Sequence, residues 1–329
     1  MVSVLSSTGS GNSTALTLLK GSAQSATAAT KQSAASQLLS SISDANFDPL
    51  KQAGGQITSI LLENGGHFIV GGAFSNITGT DEDDIIRAGP NSSVNGGAGN
   101  DFISGSFLMN ISGGAGNDTI SASSGSVIDG GDGDDTLSVG IGNTVTGGVG
   151  NDAIFGGLKN TIDAGAGDDT ISAAVGNTVM GGVGNDTIMA AHRNSIDAGA
   201  GDDTISAAVG NTITGGIGND KIVISGLRAQ SYGTSGSTVK FAVGDGQDSL
   251  TLIRSSSTVE LGEGFTAENT KVTITGNKAT ISFNGNENDG ISVDFLAGSA
   301  LTLSFADGGT LDVRAGQTAP SLISSYGDI

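Results

Sequence analysis

The chain has 329 residues, and its 33 acidic against 13 basic side chains give a net charge of −20. Such a balance excludes nucleic acid and anionic membrane surfaces as partners, because like charges repel. No cysteine is present, so disulfides neither brace the fold nor fix a redox compartment. No apolar run is long enough to cross a bilayer as a helix.

Residues 1–64 form a leader rich in Ser, Ala and Thr. Alanine favours helix and the hydroxyl residues oppose it, so the leader is predicted to be weakly helical, with Leu16, Leu18, Leu19, Leu38 and Leu39 as apolar anchors. Met1–Ser10 lacks the basic and apolar regions of a secretory signal peptide. Residues 65–226 read as a solenoid. His67-Phe68-Ile69 and Asn76-Ile77 make an incomplete entry turn, and from Gly79 onward one short loop returns with a strict 17-residue period, the interval from Asp101 to Asp118. An apolar residue stands two places after each loop: Ile86, Ile103, Ile120, Leu137, Ile154, Ile171, Ile188, Ile205 and Ile222. A second inward row runs Val94, Ile111, Ile128, Val145, Ile162, Val179, Ile196 and Ile213. A period this short means stacked turns, each burying its inward side chains against its neighbours. Residues 227–240 read as a polar insertion and 241–329 as a C-terminal antiparallel β cap over the open end of the stack. The fold class is all-β.

The stacking puts chemistry in a row. Turns lie about 4.8 Å apart, so Asp84, Asp101, Asp118, Asp135, Asp152, Asp169, Asp186, Asp203 and Asp220 share one column. Adjacent carboxylates at that spacing would repel by roughly 3 kcal/mol at an effective dielectric of about 20. A hard divalent cation between turns removes the repulsion, and calcium takes six to eight oxygens from carboxylates and carbonyls. The loop glycines allow positive φ and aim carbonyls at the ion. They are Gly96 and Gly99, Gly113 and Gly116, Gly130 and Gly133, Gly147 and Gly150, Gly167, Gly181 and Gly184, Gly201, and Gly215 and Gly218. Nine loops leave eight gaps, so about eight Ca2+ ions are expected along one edge. Asp245 and Asp248 form one further candidate loop. On the opposite edge Asn143, Asn160, Asn177, Asn194 and Asn211 form a neutral column expected to hydrogen-bond from turn to turn. The aliphatic core is thin, so the metal is expected to supply much of the folding free energy.

The loops resemble the glycine- and aspartate-rich nonapeptide of the RTX family, G-G-x-G-x-D-x-U-x, over residues 79–226. That resemblance implies a parallel β-roll that binds calcium, export through a type I secretion apparatus on an uncleaved C-terminal signal, and folding outside the cell. Rolls of that family usually build each turn from two nonapeptides and carry calcium on both edges. The turn here is shorter, one nonapeptide plus a half that lacks the calcium loop, which implies calcium on one edge only. The segment after Val239 resembles the β domain that often follows such repeats. Some family members bind ice through a threonine before the Gly-Asn pair, but those places hold Ala98, Ala115, Asp132, Val149, Ala166, Val183, Ala200 and Ile217.

No catalytic constellation is found. His67 and His192 are far apart in sequence, with no His-Glu-x-x-His, G-x-S-x-G or phosphate-binding loop, so the chain reads as a non-enzyme. Val149, Val183 and Ile217 recur every second turn, as do Lys159 and Arg193, and residues 164–178 and 198–212 are identical. These rows favour a secreted structural protein of the cell surface or matrix that self-associates. The alternative is a secreted effector or adhesin binding host membrane or sugars. The N-terminal face near residues 65–78 needs a cover, supplied by the leader or by another molecule.

Overall fold

The computed structural model describes residues 55–226, 236–316 and 321–323. The described residues contain strands and turns and no helix. Two sheets of 15 and 14 strands face each other and share one core. Each turn contributes one strand to each sheet. Thr136–Ile141 pairs in parallel with Thr119–Ser124 on one side and Ala153–Leu158 on the other, with Leu137 opposite Ile120 and Ile154. Side chains alternate across each strand, so Thr136 and Ser138 are exposed while Leu137 and Val139 point inward. The repeat thus makes a parallel stack in which each inward row stacks on its own kind and faces the other sheet's row: Ile154, Ile171 and Ile188 in one sheet, Ile162, Val179 and Ile196 in the other, all at most 2% exposed.

Two different corners join the sheets. On one edge lie the glycine- and aspartate-rich loops. On the other the chain turns through a left-handed residue, glycine at Gly125, Gly142, Gly176 and Gly210 but Leu108, Lys159 and Arg193 in other turns, with φ between 55° and 86°.

At the N-terminal end Ile57–Leu61 pairs antiparallel with His67–Gly71 and closes one sheet. The other sheet ends on the short strand Asn76–Thr78. Part of the needed cover is therefore a strand inside the stretch assigned to the leader. Ile57, Thr58 and Ile60 are β-branched and suit a pleated edge; the weakly helical reading falls otherwise on residues 1–54, outside the described residues.

The polar insertion does not interrupt the stack. Thr238–Phe241 returns to register beside Thr212–Ile217, with Val239 opposite Ile213. Asn211 and Ser237 are neighbours across 26 residues where other turns span 17. Beyond it the two sheets continue in parallel through Gln247–Ile253 and Gly290–Leu296, and through Ser256–Leu261 and Ala300–Phe305. Antiparallel strands lie outside these, two of them from a hairpin that precedes Gly290 in the chain. Thr270–Thr275, Lys278–Phe283 and Thr310–Arg314 pair antiparallel and end the stack. The core widens here from aliphatic to aromatic, with the Phe265 and Phe283 rings 4.0 Å apart and Phe241 within 5.8 Å of both.

Candidate calcium column

The column aspartates are buried, at 1% exposure for Asp118, Asp152, Asp186 and Asp220. Each lends one carboxylate oxygen to the ladder. Asp101 Oδ1 accepts the Asp84 amide at 2.8 Å, Asp152 Oδ1 accepts that of Asp135 at 2.8 Å, and Asp220 Oδ1 accepts that of Asp203 at 2.9 Å. The other oxygen, Oδ2, is buried and unpartnered in Asp101, Asp118, Asp135, Asp152, Asp169, Asp186, Asp203 and Asp220. Eight orphaned acceptors in line would be costly in any fold meant to stay bare.

The space beside them is lined with oxygen. A Cβ on Gly96 would stand 2.1 Å from Asp101 Oδ2 and 2.4 Å from the Gly113 carbonyl of the next turn. The same pair of oxygens meets at Gly113, Gly130 and Gly181. In these turns glycine leaves open the place where a carboxylate and a carbonyl converge. Ala164 and Ala198 carry a methyl at this place in alternate turns, both fully buried. Among the described residues no three acidic or histidine side chains gather on one point, so an ion between turns draws its remaining oxygens from the backbone.

The charge balance agrees. Burial first, and then neighbouring carboxylates, push Asp101, Asp152 and Asp186 up to about 7. Asp118, Asp135, Asp169, Asp203 and Asp220 rise to about 6 with burial again the leading cause. A divalent cation lowers such values by stabilising the ionised form. The donor set therefore fits calcium: hard oxygens, one free carboxylate oxygen per turn, and carbonyls aimed at the same gap.

Both ends of the column differ from its middle. Asp84 Oδ2 is occupied, accepting the Thr80 amide at 2.6 Å and the Thr80 hydroxyl at 3.1 Å. Thr80 replaces a loop glycine, so the degenerate sequence of the first loop becomes a self-satisfied end. One turn earlier His67 holds the column position, its amide donating to Asp84 Oδ1. At the far end Asp248 continues the ladder by accepting the Asp220 amide at 3.0 Å, and burial pushes its carboxyl up to about 8. Asp245 Oδ2 accepts the Ala242 amide at 2.6 Å. Beside them stands Asp289, 3% exposed, which accepts the amides of Gly244 and Gly246 at 2.9 and 3.0 Å. It has no signature in the sequence, because the repeat has ended and a non-local hairpin brings it in.

A second ladder also lay unread in the sequence. The residue before each column aspartate is exposed and bonds in the opposite direction. Asn100 Oδ1 accepts the Asn117 amide at 2.7 Å, Asn117 Oδ1 that of Asp134 at 2.8 Å, and Asp202 Oδ1 that of Asn219 at 2.8 Å. The available signal was that this position holds only Asn or Asp from Asp83 to Asn219. On the opposite edge the asparagine column forms as expected. Asn177 Oδ1 accepts the Asn160 amide at 2.8 Å, and its Nδ2 donates to the Gly157 carbonyl at 2.9 Å. His192 sits on that edge with Nδ1 2.9 Å from the Val209 carbonyl.

Fold and column together define a calcium-binding β-roll. The family model for the RTX calcium-binding nonapeptide repeat matches residues 78–107, 112–145, 142–158, 159–180 and 180–212, so this stretch carries RTX calcium-binding repeats. No curated protein matches the chain. Among solved structures, the extracellular lipase LipA from Serratia marcescens is similar at 16% identity and a TM-score of 0.26, over 60% of this chain and 38% of that one.

Proposed function

We propose that the protein is a secreted structural component of a cell surface or extracellular matrix, which folds on calcium outside the cell and then self-associates. The observation that carries this reading is the periodicity of its surface. Exposed side chains come in rows that repeat every second turn, such as Val149, Val183 and Ile217 at 60, 64 and 67% exposure, so the roll presents repeating lines of contact. About eight ions between the nine loops would neutralise the buried column. Cytosolic calcium is too low to fill sites of the extracellular class, which bind at about 10⁻⁴–10⁻³ M, so folding would wait until the chain leaves the cell. Type I export fits that order of events. The protein acts here without catalysis, its carboxylates serving the ladder and the metal.

Electron microscopy of the full chain with and without millimolar calcium tests the reading. Ordered fibres or sheets that form only with calcium are expected. Monodisperse particles in calcium would instead favour a secreted effector or adhesin.

A further inference from the structure

The roll has two chemically opposite edges, and they carry the same repeat. On the loop edge, exposed Asp168 and Asp202 alternate with the large apolar tips Val149, Val183 and Ile217. On the asparagine edge, exposed Lys159 and Arg193 stand two turns apart, and Ile141 and Leu158 are 52 and 41% exposed. Neither cation has an ion-pair partner among the described residues. Both sit where the backbone is left-handed, φ 55° and 61°, at a corner that other turns give to Gly176 and Gly210. Left-handed φ is uncommon for a side chain larger than glycine, and Lys159 and Arg193 hold this corner as Phe74, Asn91 and Leu108 do in the first turns.

We infer that these edges dock on each other between copies, the loop edge of one roll against the asparagine edge of a second, parallel copy. The inference rests on the self-association proposed above and specifies its contact. Lys159 falls midway between Asn151 and Asp168, half a turn from each, and Arg193 stands in the same relation to Asn185 and Asp202. Two parallel rolls set side by side with almost no axial shift therefore bring Lys159 opposite Asp168 and Arg193 opposite Asp202 together. The spacing agrees on both edges, two turns or about 10 Å. With the same offset Val149, one turn before Asp168, faces Ile141, and Val183, between Asp168 and Asp202, faces Val175. Calcium in the buried column lowers the repulsion on the loop edge and leaves the outer aspartates to recognise the partner. A contact between two different faces related by translation does not close, so it builds an open sheet one roll thick.

The test uses the full chain in millimolar calcium, with two variants that install residues the same columns already hold: Lys159→Gly/Arg193→Gly, and Val149→Ala/Val183→Ala/Ile217→Ala. Circular dichroism should show calcium-induced folding as in the parent, and light scattering should fall to the mass of single copies for both. In a third variant, Lys159→Cys/Asp168→Cys, the two cysteines lie on opposite edges of one roll in a chain that has no other cysteine. A short bis-maleimide should then join copies into a covalent ladder. Parent sheets with unchanged variant assembly and no ladder would overturn the edge contact while self-association stood. A parent that stays single in calcium would overturn both.

Discussion

At the scale of single residues, the column aspartates do two jobs with two oxygens. Oδ1 holds the register by accepting the amide of the previous turn, and Oδ2 waits for a cation. Position in the column decides the cost of losing one. Asp152→Ala removes an open oxygen between two gaps, whereas Asp84→Ala removes a carboxylate whose Oδ2 is already bound by Thr80. The calcium midpoint for folding, read by circular dichroism, should rise markedly for the first and little for the second; equal shifts would contradict ions shared between turns. The raised carboxyls also set a pH dependence for the metal-free chain. Their folded values of about 6 to 7 lie above the ordinary 3.8, so the folded state holds more protons than the unfolded one. The stability they contribute is complete near pH 4 and is lost as pH rises through 6 to 7. In excess chelator, acidifying from pH 8 to pH 5 should increase the β signal, and a flat response would count against burial of these carboxyls.

At the scale of the element, each turn is a strand pair held by two corners, one charged and one neutral. The neutral corner stands without metal because every asparagine uses both ends of its amide. Asn177→Ala leaves the Asn160 amide and the Gly157 carbonyl without these partners in a buried place, at about 1–3 kcal/mol. Asn177→Ser should cost less, since Ser126 holds the same column and its Oγ accepts the Met109 amide at 3.0 Å. Calcium titrations of the two variants, compared with the parent, give the ranking; a serine variant as damaged as the alanine would show that the ladder is not what holds the corner.

At the scale of the whole molecule, a stack of like turns is only as sound as its ends. The antiparallel strands of the C-terminal end terminate both sheets, and the Phe241, Phe265 and Phe283 cluster anchors them where the aliphatic core stops. Phe283→Ala should cost about 3–5 kcal/mol in the cap. Because stability passes from neighbour to neighbour, the loss should appear as earlier hydrogen exchange in residues 238–314, with turns near Asp118 less affected. Uniform loss along the roll would mean that the cap and roll fold as one unit.

Much of this was determined by the sequence alone, and the reason is locality. A constant period fixes which side chains stack, so the inward rows, the aspartate column and the asparagine column were legible as arithmetic. Where the period fails, legibility fails with it. The pairing of Ile57–Leu61 with the first turn, the return of Thr238–Phe241 to register after an excursion, and the arrival of Asp289 beside Asp245 each depend on contacts between segments that no repeat relates. Two details inside the period also needed the tertiary structure. Spacing shows that carboxylates share a column, but only the fold decides that Oδ1 is taken and Oδ2 left open, and that Thr80 bonds Oδ2 of Asp84. A hydrogen bond is a matter of direction as well as place, and direction is set by how the turns pack.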